Sequence, residues 1–252
     1  MSRFAFLGAG NGGQRPLAAV PRWLLVLLAG ALAAQIGWRA AGRTGAPGAA
    51  DLPAAPSAAA LRLASLGETA ALSRGAMLWL QAYDYRADNT IRYQQLDYAR
   101  LIGWLQAILA VDPRSGYPLF AAARIYAENP DTRRARAMMS FIEAQFLRDP
   151  NARWSALAHV ALLAKHRLHD LPLALRYAAE IQRLTTDPTI PSWARQMEIF
   201  VLEDMNELEA AKVMLGGLLA TGRIRDPEER RFLEGRLEEI ERRLATTRPG
   251  KR

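Results

Sequence analysis

The chain has 252 residues, half of them apolar and 23% charged, which is enough to bury a core in one or two domains. It contains no cysteine, so disulfides, thiolate metal sites and cysteine nucleophiles are excluded. The formal charge of +8 suits an anionic partner, but residues 1–50 hold five arginines and no acidic residue, which leaves the rest nearly balanced. Only three of the 33 basic residues are lysine. That bias, with abundant Ala, Gly and Pro, fits a GC-rich bacterial genome as well as a set of chosen contacts.

The chain opens on Phe4-Ala5-Phe6-Leu7 followed by glycines at 8, 10 and 13, the spacing of a dinucleotide fingerprint. Such glycines need a helix N-terminus behind them and an acidic residue about 20 positions on. Gln14-Arg15-Pro16 follows instead, and the first acidic residue is Asp51. Residues 1–22 are therefore read as a disordered basic leader.

Residues 23–38 (WLLVLLAGALAAQIGW) carry no charge, have a tryptophan at each end and are flanked by Arg22 and Arg39. This composition predicts a transmembrane helix or signal anchor. Its 16 residues reach about 24 Å as a helix, slightly short of a hydrocarbon core. Snorkelling arginines and local thinning would make up the difference. A cleaved signal peptide with its small-x-small site at Ala31-Leu32-Ala33 is the alternative, and the long leader and the Gln35–Trp38 continuation favour the anchor. Three arginines and the amino terminus precede the run and two follow it, which places the N-terminus in the cytoplasm and the body in the periplasm. Residues 39–57, rich in Ala, Gly and Pro, are expected to form a flexible linker.

From residue 58 to 247 the pattern is helical. Asp-Pro pairs at Asp112-Pro113, Asp149-Pro150, Asp187-Pro188 and Asp226-Pro227 recur every 37, 38 and 39 residues, the signature of a repeat array. Between them lie paired amphipathic segments, such as Leu171, Leu175, Ala178 and Ile181 on one face. A first helix is expected over 68–85 and its partner over 94–111, joined by a polar loop at 86–92. Ala99, Ala135, Ala174 and Ala211 align in one column, with Gln95, Asp131, Asp170 and Glu207 four positions earlier, at the expected helix starts. Residues 227–245 read as one closing helix with Leu233, Leu237, Ile240 and Leu244 in a stripe. That stripe serves either as a solenoid cap or as a coiled-coil seam. Residues 248–252 form a short tail.

With the Ala column, the bulky positions after it and the closing Asp-Pro, this region resembles the tetratricopeptide-repeat family. Pro118–Glu128 is similar to the family's first helix, with Leu119, small Ala122-Ala123 and Tyr126. The spacing of 37–39 residues is wider than the 34 of the family. The resemblance implies an all-α fold: a right-handed α-solenoid of helical hairpins, here preceded by one transmembrane helix. It also implies a concave partner-binding face built from first helices, comprising Tyr117, Phe120, Arg124, His159, His166, Trp193, Gln196, Phe200 and Glu203.

Catalytic signals are weak. His159, His166 and His169 form no metal-ligand spacing. Glu198, Glu203, Asp204 and Glu207 cluster at one helix end rather than across a cleft. No nucleophile elbow or phosphate loop occurs. The expected function is a non-catalytic scaffold or adaptor, anchored through 23–38, without cofactor, metal or nucleic acid, that binds a protein or peptide on the periplasmic side of a bacterial inner membrane. The competing classes are a glycan-acting envelope enzyme, which needs paired carboxylates in a deep pocket, and a binder of anionic surfaces, for which Arg133, Arg134 and Arg136 are the dense cluster.

Overall fold

A computed structural model describes residues 21–41, 52–83, 93–222, 224 and 226–247, at 38–41 and 247 for the backbone alone. The leader before residue 21, the loop at 86–92 and the tail at 248–252 lie outside the described residues. Among these residues there are eleven α-helices and no strand. The chain divides into two compact units between Gly48 and Ala49.

The first unit is described by α1 (Arg22–Ala41). Its large apolar side chains, from Trp23 through Ile36, are exposed around its circumference. Among the described residues no helix is long and apolar enough to cross a membrane.

The second unit starts earlier than a spacer ending at 57 would allow. Leu52 is fully buried, its carbonyl accepts from Arg100, and the Pro53 carbonyl accepts from the Trp104 indole, both at 2.8 Å. A short α2 (Ala58–Ala64) follows, its first turn capped by Ser57. Paired helices come next: α3 (Thr69–Ala82) with α4 (Tyr98–Val111), and α5 (Tyr117–Ala121), which continues as a π-helical turn over Ala122–Tyr126, with α6 (Thr132–Phe146). Then α7 (Pro150–His166) pairs with α8 (Leu171–Leu184), α9 (Ser192–Asp204) with α10 (Leu208–Ala220), and α11 (Pro227–Thr247) closes the chain.

From α6 onward each helix packs on the next, and alternate helices also touch: α3 with α5, α4 with α6, α5 with α7, α7 with α9. One buried cluster runs from Leu52 through α9, and a second gathers α9, α10 and α11. The closing stripe is spent inside the chain, with Leu233 and Ile240 fully buried and Leu237 and Leu244 packed beside them. Gly222, at a φ of 64°, ends α10 in the left-handed conformation that glycine adopts most readily.

The second helices start on acidic residues, which face the positive end of the helix dipole. In α4, α6 and α8 the carboxylate also satisfies orphan amides, whereas Glu207 at the start of α10 makes no side-chain cap bond. Asp131 accepts from the amides of Arg133 and Arg134, and Asp170 from that of Leu173. For α4 the cap is Asp97, which accepts from Ala99 and Arg100, and not Gln95, which sits in a 3₁₀ turn. The fourth member of the buried column is accordingly Leu101, fully buried, while Ala99 is exposed. His169 and Asn206, one residue before the caps of α8 and α10, take left-handed φ values of 51° and 61° and turn the chain between paired helices. Of the Asp-Pro steps, Asp149-Pro150 and Asp226-Pro227 start helices. Asp112 instead closes α4, and Asp187 caps a tight turn by accepting from Thr189.

Candidate functional site

The sequence-expected face is divided by the structure. On α9, Gln196 donates to Glu229 of α11 at 2.6 Å, Glu203 is paired with Arg236 of α11, and the Phe200 ring centroid lies 6.5 Å from that of Phe232. Three side chains at helical spacing are thus engaged by the closing helix. Trp193 is half exposed and meets Trp154 of α7 edge-on at 5.6 Å. Tyr117 donates to Gln81 of α3 at 2.5 Å. His166 is exposed near the end of α7.

Phe120, Arg124 and His159 are brought together. They line a cavity of about 640 Å³ bounded by the end of α4, the loop after it, α5 with its π turn, the end of α6 and the first half of α7. The size is that of an ordinary ligand pocket. Its apolar floor is made by Leu109, Leu119, Ala123 and Ala156, and Phe120, 58% exposed, stands at its edge. A π turn displaces side chains from the regular helical register, and such turns recur at functional sites. Here the turn spans Ala123 on the floor and Arg124 on the wall.

The wall is basic. Arg114, Arg124, Arg148 and Arg153 line the cavity against one carboxylate, Asp149. That carboxylate already caps α7 by accepting from the Ala152 amide at 3.2 Å. Arg153 is fixed in place by neutral acceptors: the Gln145 carbonyl at 3.0 Å, the Gln145 side-chain oxygen at 2.8 Å and the Pro113 carbonyl at 3.1 Å. Burial pushes its pKa below the usual arginine value and Arg148 adds to the shift, while Asp149 opposes it. The side chains of Arg114, Arg124 and Arg148 make no hydrogen bond or ion pair with the described residues.

His159 shares this environment. Burial, and then the Arg124 charge, hold its pKa below the usual imidazole range against a smaller upward pull from Glu128. Its Nε2 lies 3.4 Å from Glu128 Oε1, at an angle that leaves it without a hydrogen bond.

Sequence reasoning missed Arg114, Gln145, Arg148 and Arg153. The signal was their position: all three arginines flank Asp-Pro steps, in Asp112-Pro113-Arg114 and Arg148-Asp149-Pro150 with Arg153 one turn on. The Arg133, Arg134 and Arg136 cluster is mostly neutralised, because Arg134 pairs with Asp131 and Arg136 with Asp170. Among the described residues no group of three or more histidine and carboxylate side chains could hold a metal ion. Set against protein-family models, curated proteins and solved structures, the chain finds no match in any of the three.

Proposed function

We propose that this protein is a membrane-anchored, tetratricopeptide-repeat-like scaffold. In this reading it holds a protein or peptide partner on the periplasmic side of a bacterial inner membrane and catalyses no reaction. The observation that carries this reading is the cavity beside Phe120: an apolar floor under four arginines, with one carboxylate already committed to a helix cap. Such a surface is arranged to receive a side chain and to select by charge. A glycan-cleaving site needs two carboxylates flanking the scissile bond, whereas Asp149 is the only one in this lining.

Packing of each helix on its neighbour, with several alternate helices also touching, supports a solenoid of hairpins, and its right-handedness is what the tetratricopeptide-repeat resemblance implies. The anchor reading rests on α1, which is apolar around its circumference and bounded by arginine, a pattern suited to lipid. The uncharged run is short for a full crossing, so the reading includes local thinning and snorkelling arginines. Proximity crosslinking of the full chain in cells, with protease accessibility in spheroplasts, tests both halves. The scaffold reading expects one reproducible protein neighbour and a body degraded only once the outer face is exposed. Release of the chain by alkaline carbonate would contradict the anchor.

A further inference from the structure

We infer that the cavity between α4, α5, α6 and α7 binds an acidic peptide segment with a short apolar centre, an apolar side chain resting on the floor and the carboxylates pairing with Arg114, Arg124 and Arg148. This rests on the scaffold reading and adds the chemistry of the partner.

Three observations lead to it. The first is an excess of positive charge. Arg153 is half-buried and hydrogen-bonded, yet all its hydrogen-bond acceptors are neutral, and Asp149, the one carboxylate of the lining, offsets only part of the charge gathered there. Around it stand three exposed guanidiniums without ion-pair partners among the described residues, and His159, whose protonation is disfavoured. Like charges gathered at a partly desolvated wall raise the energy of the unliganded state, and an anion relieves it. Guanidinium also prefers carboxylate oxygens in a two-pronged arrangement.

The second observation is the floor. Leu119 and Ala123 are buried beneath the opening while Phe120 is largely exposed beside it, so an apolar side chain is covered on one face and flanked by an aromatic ring. A purely ionic ligand would leave this surface unused. The third is shape. Nucleic-acid backbones are recognised along extended basic tracks. Here the cationic wall closes around one cavity about 640 Å³ in volume, while the neighbouring Arg134 and Arg136 are already paired. Hydroxyls of Ser115 and Ser155 at the lining are available to a peptide backbone.

The test uses the full chain in detergent micelles and a fluorescein-labelled hexapeptide, Glu-Glu-Leu-Phe-Glu-Glu, followed by anisotropy. Two control peptides replace all Glu by Gln, or Leu-Phe by Ser-Ser. The acidic apolar peptide is expected to bind about tenfold more tightly than either control. Its affinity should fall as salt rises from about 50 to about 300 mM. The double variant Arg124→Glu/Arg148→Glu changes two exposed side chains and should weaken binding at least about tenfold with an unchanged circular-dichroism spectrum. Equal binding of the Gln peptide, no saturable binding of the acidic one, or displacement by an equimolar oligothymidylate would overturn the inference. If the acidic peptide fails while a partner still crosslinks to the chain in cells, the charge inference falls alone. If no partner crosslinks either, the scaffold reading falls with it.

Discussion

Glu203 on α9 is 4% exposed, and Arg236 of α11 meets both of its carboxylate oxygens, Nε donating to Oε1 at 3.1 Å. The two lie 33 positions apart and join the closing helix to the first helix of the preceding pair. Removing the arginine strands a buried carboxylate, so Arg236→Met should cost about 3 kcal/mol in urea unfolding. Glu203→Gln keeps an acceptor for Arg236 and should cost only about 1 kcal/mol. Equal losses from the two changes would contradict the pairing.

Asp170 caps α8 and also meets Arg136 of α6 at 2.7 Å. The amide hydrogen bond, with the charged partner behind it, holds its pKa below the usual carboxylate range. Asp170→Ala loses the cap and should lower stability by about 1 kcal/mol, read as a thermal midpoint. Asp170→Asn retains an acceptor for the Leu173 amide and should recover most of that loss, since half-exposed ion pairs contribute little. If Asn behaves like Ala, the ion pair and not the cap is the stabilising element.

Much of this arrangement is legible in the sequence. Asp131 and Asp170 stand at helix starts and cap them, Glu207 holds the same place without a side-chain cap bond, and the buried Ala135, Ala174 and Ala211 fall four residues on. The first repeat is misleading because Asp97 lies two residues beyond Gln95 and Ala99 copies the expected small residue. Only the hydrogen bonds to Asp97 place Leu101 in the core column. Gln196, Phe200 and Glu203 have the residue types of a binding face, yet α11 occupies that side of α9. The basic cavity was hidden for a different reason. Arg114 lies 34 positions before Arg148 and 39 before Arg153, beside a different Asp-Pro step, and in a chain where arginine is common everywhere nothing but that placement joins them.

Leu52 tests whether the stretch before α2 belongs to the folded unit. It is fully buried in the main core cluster and its carbonyl accepts from Arg100 of α4, so Leu52→Ala should cost about 3 kcal/mol. Trp104→Phe removes the indole bond to the Pro53 carbonyl and should cost about 1 kcal/mol. Unchanged urea midpoints in both variants would mean that residues 52–57 do not hold to the body.

His159 gives the pH dependence a sign. Its folded pKa is lowered by burial and then by Arg124, so the unfolded chain takes up the proton first as the pH falls below about 6.5. The side chain contributes no pH dependence well above that value, and it destabilises the fold progressively from about 6.5 down to its lowered folded pKa. Between about pH 7.5 and about pH 5.5 the wild type should lose more stability than His159→Gln. Equal losses would show that the imidazole is not disfavoured as a cation.

The most direct measurement is photocrosslinking in cells from a benzoylphenylalanine placed at Phe120, on the edge of the cavity, compared with one at Val213, exposed on α10. The account predicts a discrete protein adduct from position 120 and none from position 213. Adducts of the same pattern from both positions, or none from position 120, would contradict it.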